Sequence, residues 1–146
     1  MNENITTKGP VEIILKDAAT GEALEWMSDN NLIVSGGIIN VAKLLGGEAS
    51  GKSISKVGFG EGTSLNDPND SSLVNGFYKN IDSVTYPSLR KVQFTFSLAA
   101  GEANGLKITE LGLFNVDLVM FSRKTRPEIL KTSAIILTGI WTITIN

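Results

Sequence analysis

The chain contains no cysteine and no histidine among its 146 residues. Without cysteine there is no disulfide, no thiolate nucleophile and no soft metal ligand, a composition that fits assembly in a reducing cytoplasm. The missing histidine removes the side chain that titrates nearest neutrality and serves most often as general base or metal ligand. Ser-His-Asp triads, Cys-His dyads, HExxH zinc sites and histidine-based iron sites are therefore excluded, leaving carboxylate, lysine, tyrosine or backbone chemistry. Aromatic residues are scarce at 7%, which argues against the exposed aromatic cluster of a carbohydrate-binding or receptor-binding module. Thirteen basic and fifteen acidic residues give a net charge of −2 with no block of one sign, so the chain lacks the electrostatic footprint of a nucleic-acid binder. No apolar run approaches the roughly 18 residues of a membrane span, and the opening MNENITTKGP is polar. Neither membrane nor nucleic acid is expected as a partner.

Hydrophobic residues make up 42% of the chain, enough for one buried core at this length and too little for two comfortable domains. The expected organisation is a flexible arm over residues 1–10 followed by a single domain over 11–146. Val11–Asp17 and Leu24–Asn30 suggest two strands joined by a turn at Ala18–Gly21. Ile38, Ile39, Val41, Ala42, Leu44 and Leu45 recur at helical spacing and stop at Gly46-Gly47, which predicts one short helix near 38–45. Ile54–Gly60, Phe77–Val84 and Lys91–Leu98 are further strand candidates, the last two joined through Thr85–Arg90. Lys107–Asn115, Met120–Pro127 and Ile135–Asn146 complete the set, and the last alternates Ile140, Thr142 and Thr144 against Trp141, Ile143 and Ile145, as a strand closing a sheet would. Seven or eight short strands with one helix imply a mainly β fold, either a β-sandwich, plausibly immunoglobulin-like, or a small β-barrel, with the sandwich the first choice. Trp141 and Phe114 sit in alternating apolar runs and are expected in the core.

Three segments mimic ligand sites. Gly46–Ser53 matches the phosphate-binding pattern GxxxxGKS/T, but that chemistry needs a strand before the loop and a helix after it, and the expected order here is reversed. Nucleotide binding through Lys52 is therefore disfavoured. Gly58–Gly62 ends a strand with no helix following, so its glycines point to backbone geometry and not to a cofactor. Asn66–Asp70 offers oxygen ligands, yet Pro68 interrupts the alternation a calcium loop requires; an Asx-rich surface loop is the better expectation. No catalytic, cofactor or metal residue is assigned, and no enzymatic activity is expected.

The order ITELGLFN, short turn, hydrophobic pair, SRKTRP, KTS, TGIWTI resembles small β-rich structural proteins of bacteriophage tails: collar and baseplate-attachment proteins of long-tailed phages, and the virion-proximal domains of tail fibres. The resemblance extends more loosely to Asn31–Gly47 and Ile54–Gly62. Where such proteins place Asp-Gly at the hairpin, this chain has Asp117 followed by Leu118, which leaves the turn type open. The resemblance implies a non-enzymatic virion component, assembled in the bacterial host cytoplasm, that oligomerises at the tail tip or baseplate as a collar or docking platform for fibres. Its partners would be copies of itself and other tail proteins. The alternatives are a trimeric fibre-attachment domain and a carbohydrate- or receptor-binding module. Arg123, Lys124 and Arg126 form a basic run that reads either as a solvated strand end or as an intersubunit contact meeting carboxylates such as Glu110 or Glu102; the resemblance favours the contact. Trp26, in a short early strand, is the candidate interface anchor should it prove exposed.

Overall fold

The computed structural model describes residues 7–30 and 32–146. The chain is mainly β, with two antiparallel sheets and one short helix, the make-up of the β-sandwich class. Its strands are β1 (Thr7–Lys8), β2 (Pro10–Asp17), β3 (Ala23–Asn30), β4 (Leu32–Ile33), β5 (Ile54–Gly60), β6 (Phe77–Asn80), β7 (Ser83–Ser88), β8 (Lys91–Leu98), β9 (Lys107–Asn115), β10 (Met120–Leu130) and β11 (Ile135–Ile145); helix α1 spans Ser35–Gly46. Among the described residues, no helix is long and apolar enough to cross a membrane.

The chain divides into two compact units. The first combines residues up to Asn31 with Ile81–Glu102 and Ser133–Asn146, and holds a sheet ordered β3-β2-β11-β8-β7, with β1 also pairing β11. The closing strand β11 is thus central: it pairs β2 through Ile135↔Asp17 to Trp141↔Val11 and β8 through Leu137↔Leu98 to Thr144↔Lys91. Period-2 alternation sorts its faces. Val11, Ile13, Leu15, Phe94, Phe96, Leu98, Leu137, Trp141 and Ile143 are buried, while Glu12, Ile14, Gln93, Thr95, Thr138 and Ile140 stand on the opposite face and are only partly covered. Residues 1–6 of the expected N-terminal arm lie outside the described residues; its later part is structured, since Thr7↔Ile145 and Lys8↔Thr144 pair in the sheet.

The β2–β3 hairpin turns where expected. Asp17 accepts hydrogen bonds from the Ala19 and Thr20 N–H groups, both 2.9 Å, and Gly21 takes the left-handed conformation at φ 74°, which glycine adopts without a Cβ penalty. The Thr20 and Ala19 N–H groups hold the Asp17 carboxyl below its ordinary range. The Lys107 N–H and the Asn75 amide do the same for Glu61, as the Ser50 hydroxyl does for Glu48. A carboxyl depressed in the folded state binds fewer protons there than when unfolded, so its stabilisation is complete above the unfolded value near ~4 and is lost as pH falls through the folded one. Melting temperature measured from pH 7 down to pH 2 is expected to hold level to about 5 and then decline; a rise on acidification contradicts this.

The second unit, Leu32–Asn80 with Ala103–Thr132, holds a sheet ordered β4-β10-β9-β5-β6. Its core includes Val34, Leu73, Phe114 and Met120, with Tyr78 packed edge-on to Phe114 at 5.1 Å between ring centroids. Phe114 and Trp141 are both core residues, at 1% and 0% exposure. One expected strand divides: Phe77–Val84 is broken at Ile81-Asp82, so that β6 belongs to the second sheet and β7 to the first. Pro87, expected in a link, lies within β7. It is tolerated there because β7 is an edge strand with one side of its backbone unpaired in the sheet.

Candidate interaction surfaces

The basic run on β10 does not present three cations to solvent. Ridge by ridge along the strand, Arg123 and Arg126 turn inward and are 2% and 9% exposed, while Lys124 is half-buried. Arg123 lies opposite Gly112 in the β9–β10 register. That places it diagonal to Glu110 on the same face, within reach of a long side chain. Its Nε donates to Glu110 Oε1 at 2.9 Å, and Glu110 is itself 1% exposed. The other guanidinium nitrogens reach Asp70 Oδ2 at 3.0 Å and the Ser64 carbonyl at 3.1 Å. The expected intersubunit pairing of Arg123 with Glu110 is therefore corrected to a pair within the chain. Arg126 Nε donates to the Pro127 carbonyl at 2.7 Å.

Glu110 completes the arrangement. Its Oε2 accepts from the N–H groups of Gly62 and Val74, the two ends of the long loop between β5 and β6, while Arg123 holds the middle of that loop. The Asx-rich segment Asn66–Asp70 is thus organised around a guanidinium: Asp70 accepts from Arg123 and from Asp67 N–H, and Asp67 from Asn69 N–H. Among the described residues, no group of three acidic side chains is placed to hold a metal ion. Burial of Arg123 carried no signal in the sequence, because a charged run at a strand end usually stays solvated.

The Gly46–Ser53 segment follows a helix and precedes a strand, as expected. Gly47 caps α1 in the left-handed conformation, with the Gly47 and Glu48 N–H groups on the carbonyls of Leu44 and Lys43, a Schellman closure. Ser50 N–H donates to the Glu48 carboxylate, Gly51 N–H to the Glu48 carbonyl and Lys52 N–H to Asn40 Oδ1. Lys52 Nζ meets Asp117 at 2.8 Å. The N–H groups of Gly47, Glu48, Ser50, Gly51 and Lys52, which a phosphate cradle would need, are bonded within the chain.

Two exposed apolar surfaces remain. The first is built on α1, which begins at Ser35, earlier than its apolar spacing predicts, so that Gly36 and Gly37 fall in its first turn. A Cβ on Gly37 would come within 2.4 Å of the Phe121 carbonyl oxygen; glycine lets the helix lie directly on β10. The inward face of α1 is Gly37 and Asn40, with Asn40 bonded to both the carbonyl and the N–H of Lys52. The apolar side chains consequently face outward: Ile38, Ile39 and Leu45 are 61%, 55% and 74% exposed. Leu44 shares a concavity with Val116, and Gly36 another with Leu118 and Val119. The β9–β10 turn thereby extends the apolar patch, since Val116, Leu118 and Val119 are all exposed.

That turn closes without the glycine of the Asp-Gly pattern. Asn115 Oδ1 accepts from the N–H groups of Asp117 and Val119, Leu118 N–H donates to the Asn115 carbonyl, and Leu118 takes φ 59°. A leucine in the left-handed region carries strain of about 1–2 kcal/mol. Leu118→Gly is expected to stabilise the fold by about 0.5–1 kcal/mol in urea titration, the strain relieved less the entropy glycine adds to the unfolded chain. Destabilisation by Leu118→Gly contradicts this account of the turn.

The second surface lies on the first unit. Trp26 is exposed at 62%, on edge strand β3 opposite Ile14, beside exposed Leu24. At the other edge all six residues of β7 are exposed, with Tyr86 at 76% and the adjoining Leu89 fully so. No family model, curated protein or solved structure matches the chain.

Proposed function

We propose that this chain is a non-enzymatic structural subunit of a phage tail, which oligomerises at the tail tip or baseplate as a collar or docking platform for fibres. The observation that carries this reading is the outward apolar face of α1 joined to the β9–β10 turn. Soluble chains leave contiguous apolar surface exposed chiefly where another protein covers it, and here a polar residue, Asn40, occupies the inward face while Ile38, Ile39 and Leu45 point away. The resemblance to tail proteins supports it further, because the patch is built from Asn31–Gly47, which it covers loosely, and from the short turn that it places between Lys107–Asn115 and Met120–Pro127. Leu118 supports it in a third way, since a strained apolar residue exposed in a tight turn is retained at a cost in stability.

Mass spectrometry of gradient-purified particles of a phage encoding this chain tests the reading. The chain is expected in the particle at a fixed copy number. Its presence only in the soluble lysate overturns the proposal.

A further inference from the structure

The outer face of α1 leaves its apolar side chains uncovered, and we infer that the same face of a second copy covers them: two chains join helix to helix about a twofold axis. The inference rests on the assembly reading above and names the occupant of its apolar surface. From Ile38 to Gly46 the exposed residues are Ile38, Ile39, Ala42, Leu44, Leu45 and Gly46, none of them polar, while Asn40 is buried and Lys43 half-buried. Interfaces between unlike, separately soluble proteins are about as apolar as any protein surface, whereas those between copies of one chain are more so. Charge sets no obstacle to a copy meeting itself. Lys52 lines the concavity that holds Leu44 and Val116, and Asp117 neutralises it at 2.8 Å. Size fits as well. The seven large apolar side chains of α1 and the β9–β10 turn, 39–74% exposed, together present on the order of 700 Å², against roughly 800 Å² per partner in a standard interface.

Shape selects the orientation. Residues four apart form a ridge along a helix, and the ridge Ile38, Ala42, Gly46 shrinks from a branched side chain to none. The space where Gly46 would carry a Cβ is open. A twofold axis at Ala42 runs the two helices antiparallel and sets Ile38 of each copy over Gly46 of the other, so that each bulge meets an empty position. Ala42 then faces its own copy, and its small side chain lets the two backbones come close. A parallel arrangement would crowd Ile38 against Ile38 and leave a void between the glycines, which close-packed interfaces do not hold. The antiparallel contact is isologous and closes at two copies, so a larger assembly built on it contains an even number of chains.

Light scattering and sedimentation of the full chain test the contact. Ile38→Lys with Leu45→Lys, at positions 61% and 74% exposed, brings four cations into the joined face and is expected to weaken self-association at least tenfold. Association unchanged by this pair overturns the helix contact while leaving the assembly reading intact, and a native mass of three protomers does the same. A native chain that stays at one protomer at every concentration overturns the contact, and the particle mass spectrometry above then decides separately whether the chain belongs to a tail. Should the lysine variant fail to fold, judged by its far-ultraviolet circular dichroism, the absence of native cysteine gives a second route. Ala42→Cys is expected to form a disulfide with its own copy under mild oxidation, well ahead of Thr20→Cys in the exposed β2–β3 turn. Equal rates for the two variants, or no Ala42→Cys cross-link in an assembled sample, overturn the contact.

Discussion

Arg123→Ala is expected to destabilise the protein by about 3–5 kcal/mol, the usual consequence of removing one member of a buried ion pair. The pair itself is weak evidence for stability, because desolvating two charges offsets most of their attraction. What makes the substitution severe is the remainder. Glu110 stays 1% exposed with its charge no longer countered, and the loop from Gly62 to Val74 loses the guanidinium that joins Ser64 and Asp70 to β10. Arg123→Met combined with Glu110→Gln is expected to recover most of the loss. Glutamine still offers an oxygen to the N–H groups of Gly62 and Val74, and the charge at position 110 is gone, leaving only Asp70, whose side chain is 18% exposed, without its cation. Urea unfolding of the native chain, both single variants and the double variant measures these terms and their coupling. An Arg123→Ala variant within about 0.5 kcal/mol of native, the range of an ordinary surface substitution, contradicts the buried network.

The two tryptophans provide the second large contrast. Trp141 is fully buried in central strand β11, flanked in register by Val11 on β2 and Phe94 on β8. Truncating it to alanine removes a large apolar side chain and leaves a cavity, with an expected cost of about 3–5 kcal/mol. Trp26 is 62% exposed on edge strand β3, so Trp26→Ala is expected to change unfolding free energy by about 0.5 kcal/mol or less. Its effect falls instead on association, where aromatic residues contribute disproportionately. Thermal melts and concentration-dependent light scattering on both variants separate the two roles. If Trp26→Ala lowers stability as Trp141→Ala does, the side chain belongs to the fold and not to an interface.

The sequence displayed the β-class plainly because strands whose two faces have different surroundings must alternate. Lys91–Leu98 and Ile135–Ile145 show that period along their length, and both are strands over those residues. The helix was legible from its apolar spacing and its Gly46-Gly47 stop, but the side it buries was not. Spacing says that Ile38, Ile39 and Leu45 share a face, whereas which face meets β10 is decided by a close approach at Gly37 and by the two hydrogen bonds that Asn40 exchanges with Lys52, a residue twelve positions away. Arg123 was misplaced for a similar reason. Its partners Glu110 and Asp70 are separated from it by 13 and 53 positions, and no local pattern marks a charge that is buried through contacts so remote. Trp26 stands out in the sequence as an aromatic residue in a short early strand; that this strand is the edge of its sheet becomes visible only from the sheet order.

The most direct test of the account is the mass of the purified native chain by light scattering across a wide concentration range. Assembly through the chain's own surfaces predicts a discrete multiple of the 15.6 kDa protomer that grows in population with concentration, a trimer favouring the fibre-attachment alternative and a larger closed number the collar. A mass fixed at one protomer at every concentration contradicts the claim that these surfaces join copies of the chain.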